Sequence, residues 1–190
     1  MRISTNFLLL IIVSLSMTAC GADEPKNQIM PMTITAEQQQ IMELISTHGH
    51  QVLLFEFNTT EPFTEVGIRL EVYEYGIITD TALGFSMLGI DRPLDGKIAV
   101  VITENKDGNT LDWIVTIHEG GSAASGRATT AIGENINARM HGPMHEAVNI
   151  SGDTDAVIFV SRFASDGVLS TVGDFAHEPL AHVLTVSFSY

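Results

Sequence analysis

Residues 65–74, with the sequence EVGIRLEVYE, decide the fold class of this chain. Every second side chain from Val66 to Val72 is a branched aliphatic group, and most of the residues between them are polar. This period of two predicts a β-strand with one buried face and one exposed face. Tyr75-Gly76 follows the strand and predicts a tight turn, so the stretch as a whole indicates a β-hairpin.

The rest of the chain from Gln51 onward repeats this alternation. Two alternating runs flank the turn-forming residues 105–109 and predict a hairpin over residues 97–118, with Trp113 on its inward face. No gap between the predicted strands carries a helical pattern, which excludes a parallel α/β architecture. The sequence therefore predicts a mostly β chain, an antiparallel β-sandwich of about nine strands. Further strands are predicted at 81–90, 126–133, 144–150, 155–163 and 182–190, and a flexible loop at 120–126.

One amphipathic helix is predicted before these strands, over residues 35–48. Thr35 and Gln38 have the spacing of a capping box, in which each side chain accepts a hydrogen bond from the other residue's backbone. Gly49 has the position of a C-terminal glycine cap. We expect the apolar stripe of the helix to pack against an edge or end of the sheet, and that stripe consists of Ile41, Leu44, Ile45 and His48.

Composition limits the possible classes of protein. The chain has 190 residues, of which 45% are hydrophobic and 17% charged, as expected for a single folded domain. The chain has nine Lys and Arg residues and 23 Asp and Glu residues, which gives a formal net charge of −14. Binding to nucleic acid requires cations against phosphate, so that class is excluded. The single cysteine excludes an internal disulfide and a cysteine-based zinc site.

The first twenty residues predict export and lipidation. Arg2 precedes the apolar run Phe7–Val13, which has the charge and length of a signal peptide and is too short to span a bilayer. The following stretch Met17-Thr18-Ala19-Cys20 resembles the lipobox of bacterial lipoproteins. The resemblance implies that Cys20 becomes the lipidated N-terminus. Its diacylglyceryl anchor, with acyl chains such as palmitate, would hold the protein on the extracytoplasmic face of the cell membrane.

These signals together predict the organisation of the chain. Residues 1–19 are the predicted signal peptide. Residues 20–33 comprise the lipidated cysteine and a flexible tether, because they contain two prolines and no hydrophobic period. Residues 34–190 form a single β-sandwich domain.

The body of the chain also resembles a group of known proteins. The stretches Glu71–Gly76 and Asp95–Val100 resemble small sandwich-domain lipoproteins of Gram-positive bacteria. The resemblance extends over residues 51–120. It implies a sandwich fold and an envelope location, and it transfers no functional residue, because those proteins have no assigned activity.

Catalytic motifs occur only in incomplete form. His145-Glu146-Ala147-Val148-Asn149 begins like the zinc-protease motif HExxH, but it ends in asparagine and lies in a segment with a strand pattern. The sequence therefore predicts a protein that is not an enzyme and needs no cofactor.

Histidines suggest a metal-binding alternative. Five of the seven histidines lie at or after position 118. His141 and His145 flank a predicted turn beside Glu146, and two histidines with a carboxylate are a ligand set for zinc or copper. Exposed histidines without a ligand are the other interpretation of this pattern. The remaining histidines of this half are His118, His177 and His182.

Aromatic residues suggest a ligand platform. Tyr73 shares the polar face of the 65–74 strand with Arg69, and Tyr75 follows in the turn. Two tyrosines beside an arginine are a possible platform for a sugar or another polar ligand. Isolated surface tyrosines are equally compatible with the pattern.

The sequence favours one function and leaves two alternatives. The favoured function is a non-enzymatic, lipid-anchored extracytoplasmic binding or interaction module, attached to the membrane and acting on another envelope protein or polymer. The first alternative is a metal-binding lipoprotein that uses the late histidines. The second is a hydrolase whose catalytic residues meet only in the folded chain.

Overall fold

The computed structural model describes residues 27–45, 50–133, 136–143, 145–152, 155–167, 169 and 178–190. Within this part, the chain forms one helix and eleven strands. No helix in these ranges is both long enough and apolar enough to cross a bilayer. The elements are β1 (Gln28–Pro31), α1 (Ala36–Ile45), β2 (His50–Asn58), β3 (Phe63–Glu74), β4 (Ile77–Arg92), β5 (Asp95–Glu104), β6 (Thr110–Glu119), β7 (Ser122–Ala131), β8 (Ala138–Pro143), β9 (Val148–Asn149), β10 (Ala156–Ala164) and β11 (Leu180–Ser189).

The strands form two antiparallel sheets that pack as a sandwich, which confirms the predicted fold class. The six-stranded sheet has the order β7-β6-β5-β2-β1-β9, and the five-stranded sheet has the order β4-β3-β11-β10-β8. Their facing sides carry a continuous apolar core. Two aromatic contacts cross between the sheets, Phe57 against Phe188 at 5.5 Å and Trp113 against Phe159 at 5.7 Å between ring centroids.

The hairpin predicted from residues 65–76 is confirmed. Val66, Ile68 and Leu70 are at most 1% exposed and face the other sheet. Tyr75 and Gly76 have φ values of 48° and 77°. Two successive positive φ values are characteristic of the type I′ turn, whose twist matches that of paired strands.

The hairpin predicted over residues 97–118 is also confirmed, as β5 and β6. Trp113 is 1% exposed and lies on the inward face, as predicted. Gly108 in the connecting turn has a φ of +69°, a conformation that most side chains disfavour.

Part of the predicted tether is instead a strand. Residues 28–31 lie within the range 20–33 that we predicted to be flexible, but they form β1, paired with β2 on one side and β9 on the other. Ile29 is fully buried in the core and explains why the segment is ordered. A four-residue strand with one inward side chain has too few positions to show an alternating pattern.

The helix is confirmed, but its packing differs from the prediction. Thr35 and Gln38 form the capping box, with the Thr35 amide donating to Gln38 Oε1 at 2.8 Å and the Gln38 amide donating to Thr35 Oγ1 at 3.2 Å. Ile41 and Leu44 of the predicted stripe are 52% and 75% exposed, so these two side chains do not pack closely against a sheet. His48 and Gly49 lie outside the described residues.

A different helical side chain makes the contact with the sheet. Met42 borders a cavity of about 130 Å³ together with Ile34, Val52 and Leu54. The same cavity is lined by the inward residues Leu53 and Phe55 of β2 and by Pro143 of β8, so Met42 lies beside an opening of the sandwich.

Residues 120–126 do not form the predicted loop. Gly120 and Gly121, both with positive φ, make a turn, and β7 begins at Ser122. The small residues have a packing role, because β7 and β4 are the edge strands at the same side of the sandwich. A Cβ atom on Gly126 would lie 2.6 Å from Leu83 Cδ1 and 2.8 Å from Phe85 Cδ1. We call this contact between β4 and β7 the seam.

The strand predicted at 144–150 is displaced. β8 ends at Pro143, and among the described residues 145–150 only Val148 and Asn149 form a strand, β9. Proline lacks a backbone N–H and is tolerated where a strand ends.

Candidate functional site

The predicted metal ligands lie on and just after β8. We expected His141 to precede a turn that begins at Gly142, but β8 continues through His141 to Pro143 and pairs with β10. Its Nδ1 atom is 2.8 Å from Ser161 Oγ, and burial lowers its pKa from 6.5, with Arg139 adding to this effect and Glu104 opposing it.

The other predicted ligands do not join His141 in a metal site. His145 and Glu146 are exposed in the segment that follows β8. Across the ranges that the structure describes, no group of three or more His, Cys, Asp or Glu side chains is arranged to hold a metal ion. His118 is exposed on β6, and His177 lies outside these ranges.

The predicted ligand platform is divided in two. Arg69 and Tyr73 share the outer face of the five-stranded sheet, where the Tyr73 hydroxyl donates to Glu71 Oε2 at 2.9 Å. The Arg69 guanidinium pairs with Asp155 and approaches Glu71 at 3.9 Å. Burial, and then the hydrogen bond to Glu71, raise the pKa of Tyr73 to about 12. Because these groups bind one another, they offer little to a ligand.

Tyr75 lies apart from that network, in the turn between β3 and β4. We call residues 75–78 the hairpin tip. Tyr75, Ile77 and Ile78 are 67%, 69% and 51% exposed. The Tyr75 amide donates to the Glu178 carbonyl at 2.9 Å, which fixes the turn to the segment before β11.

The outer face of the six-stranded sheet carries a concavity of about 500 Å³ that no sequence motif indicated. Two cross-strand hydrogen bonds hold polar groups in place at this concavity. Thr129 Oγ1 donates to Asp112 Oδ1 at 2.6 Å. Thr103 Oγ1 lies 2.6 Å from His50 Nδ1. Arg127 lines the same concavity. The four hydrogen-bonded residues come from β2, β5, β6 and β7, so their proximity depends on strand register and could not be read from spacing along the chain.

A buried polar cluster crosses the core between the two sheets. Trp113 Nε1 donates to Thr130 Oγ1 at 2.8 Å, and this oxygen lies 3.2 Å from His182 Nδ1. His182 is fully buried, and burial lowers its pKa to about 4. Its strand neighbour Ser161 is also fully buried. His182, one of the late histidines considered as a metal ligand, is therefore a neutral core residue.

Comparison with known proteins places this fold in a family. No curated protein and no solved structure matches the chain significantly. The family model of the YgaN domain matches residues 28–177. The match begins at the first residue of β1 and extends beyond β10, so it covers most of the sandwich. The chain therefore belongs to the YgaN-domain family.

Proposed function

We propose that this YgaN-domain protein is a lipid-anchored, extracytoplasmic binding module that acts without catalysis. The observation that carries the proposal is the placement of Cys20. This cysteine, the only one in the chain, ends a stretch that resembles a lipobox, and β1 begins only eight residues later at Gln28. The anchoring signal and the folded domain are thus almost adjacent.

Membrane attachment follows from the chemistry at Cys20. A diacylglyceryl group provides two acyl chains, which hold a protein durably where one chain binds only marginally. Residues 21–27 can span at most about 25–30 Å when fully extended. The end of the sandwich where β1 starts would therefore stay near the membrane.

The burial of Ser161 beneath the exposed His141 argues against the hydrolase alternative. His141 Nδ1 and Ser161 Oγ have the 2.8 Å separation that an activated serine requires. Ser161 is fully buried, however, so its hydroxyl cannot meet a substrate in this conformation. The pair supports a structural role for these residues, and the described residues supply no other argument for hydrolysis.

Fractionation of cells tests the proposal. The full-length protein should be found in the membrane fraction and should incorporate radiolabelled palmitate. Cys20→Ser should lose the label, while the neighbouring Lys26→Ala should keep both properties. A wild-type protein that stays soluble, or that remains in the membrane without label, would overturn the proposal.

A further inference from the structure

The hairpin tip concentrates exposed apolar surface at one point. Single hydrophobic side chains at a protein surface are ordinary, but adjacent ones indicate a contact site. Tyr75, Ile77 and Ile78 are each more than half exposed, and Ile77 and Ile78 are successive strand residues on opposite faces, so the tip is apolar on both sides. Tyrosine is also among the residues that most often dominate the energy of protein interfaces.

The backbone of the tip is held in an unfavourable conformation. Among the described residues, Tyr75 is the only non-glycine residue with a positive φ. Asparagine and glycine adopt this conformation at little cost, whereas a bulky side chain adopts it only when the surrounding structure imposes it. Here the imposing contacts are the strand pairing below the turn and the hydrogen bond from the Tyr75 amide to Glu178. The tip therefore holds the backbone of an exposed aromatic residue in a fixed position at a cost in stability.

Register places the tip at the end of the sandwich away from β1. At one end, Phe57 contacts Phe188, which pairs with Val66. Gln28 lies at that same end, opposite Asn58 in β2. β3 then runs through Val72 to the tip, a distance of about 20 Å from Val66 to Val72 alone. In a protein anchored through Cys20, the tip would point away from the membrane.

Charge defines the partner that fits this surface. Glu74 and Asp80 are exposed on either side of the tip, and the chain carries a net charge of −14. A second copy of the chain would bring the same negative charges together. Anionic lipid would likewise be repelled. The complementary surface is an apolar cleft with a basic rim.

We propose that the hairpin tip is the docking site for an envelope protein that has an apolar cleft lined at its rim by Lys or Arg. This proposal rests on the proposed function for its location, and it names the surface through which that function is carried out. Tyr75, Ile77 and Ile78 insert into the cleft, and Glu74 and Asp80 meet the basic rim.

A peptide-display experiment with the full mature lipoprotein tests the docking site. The probe is a random peptide library, selected against the protein held in neutral phosphatidylcholine nanodiscs. Selected peptides should combine large apolar residues with Lys or Arg. Their affinity should fall at least tenfold for the double variant Ile77→Ser/Ile78→Ser. Leu88→Ser is the matched control, because Leu88 is 70% exposed on the same strand β4 but away from the tip.

A second variant separates binding from folding. Asparagine accepts positive φ readily, so Tyr75→Asn should raise Tm by a few degrees while it weakens peptide binding. Loss of both stability and binding in this variant would indicate a structural role for Tyr75 and contradict the proposal.

Three further outcomes would overturn the docking site. The first is peptide selection that does not depend on the tip. The second is tip-dependent dimerisation in sedimentation velocity. The third is tip-dependent flotation of the unlipidated protein with phosphatidylglycerol vesicles. Membrane fractionation of Cys20→Ser is independent of all of these measurements, so failure of the anchor and failure of the docking site can be told apart.

Discussion

At the scale of single residues, the buried His182 has the clearest chemical consequence. The Trp113 indole N–H occupies one lone pair of Thr130 Oγ1, and the Thr130 hydroxyl can then donate to His182 Nδ1. With the Thr130 hydroxyl as the donor, Nδ1 is the acceptor and the imidazole is neutral. Protonation would turn Nδ1 into a donor, so the Thr130 hydroxyl would have to rotate and give up its donation to His182. Burial and the nearby His141 lower the pKa of His182 to about 4, although the Ala131 backbone opposes the shift.

Stability should therefore fall as the solution is acidified. The pKa of His182 is lower in the folded chain than the value of 6.5 expected after unfolding, so its contribution is present above pH 6.5 and is lost as pH falls toward 4. We expect a loss of about 2 kcal/mol between pH 7 and pH 5, before most carboxylates titrate. Urea unfolding at the two pH values measures it. The difference should shrink in His182→Leu and persist in His118→Gln, whose ring is exposed; equal pH dependence in all three proteins would contradict the assignment.

Trp113 gives a second prediction at this scale. Because it is the only tryptophan and is 1% exposed, native fluorescence should be blue-shifted and resistant to iodide. Trp113→Ala should lower the free energy of unfolding by about 3–5 kcal/mol, as for other large aromatic side chains removed from cores. Trp113→Phe, which keeps most of the volume but removes the hydrogen bond to Thr130, should cost less. Circular dichroism during chemical unfolding provides the comparison.

At the scale of elements, the close contact of β4 and β7 at the seam depends on a glycine, Gly126, which has no side chain. Gly126 and Gly84 lie on the two edge strands that meet there, but only Gly126 has side-chain atoms within 3 Å of the position of a Cβ. Gly126→Val should therefore force Leu83 and Phe85 to move and cost about 1–3 kcal/mol, the usual range for overpacking. Gly84→Val has open space around it and should be neutral or better in a thermal-unfolding comparison. Similar losses in both variants would argue against a specific close contact at Gly126.

The elements also show which parts of the fold were predictable. In strand β3, Val66, Ile68, Leu70 and Val72 alternate along the inward face, so the hydrophobic period was easy to recognise. β1 offers one inward residue, Ile29, and β7 begins with small residues, so β1 and the first part of β7 were missed. The later part of β7 lies within the strand predicted at 126–133. For the helix, the cap is local and was predicted correctly. The contact that Met42 makes depends on the path of the chain before the helix. The hydrophobic period of the helix carries no information about that path.

Site residues were predictable to different degrees for the same reason. Tyr75 was selected as a candidate because it continues the polar face that carries Arg69 and Tyr73, a pattern that is visible in the sequence. The His50–Thr103 and Asp112–Thr129 pairs could not, because each joins two strands whose register is set by the whole sheet. In the sequence, these residues appear only as polar side chains at outward positions of strands. Most strands have such residues, so the pattern does not mark a site.

At the scale of the whole molecule, the extent of the core predicts that folding does not require a metal. Both sheets contribute large apolar side chains to one cluster, including Phe55, Phe63 and Phe159. Domains that depend on zinc to fold are typically too small to form such a core. Adding a strong chelator to the purified protein should leave Tm unchanged in differential scanning calorimetry. A fall of many degrees would instead favour a metal site that involves the late histidines.

The position of β1 has a mechanical consequence. In a protein tethered at Cys20, any pull between the membrane and a bound partner enters the domain at Gln28. β1 is an interior strand, and its antiparallel hydrogen bonds to β2 lie perpendicular to the chain direction. A force along the strand therefore loads these bonds together, in shear, rather than opening them one after another. Strands loaded in shear resist unfolding better than strands that are peeled apart, so the attachment at β1 would help the domain to stay folded under tension.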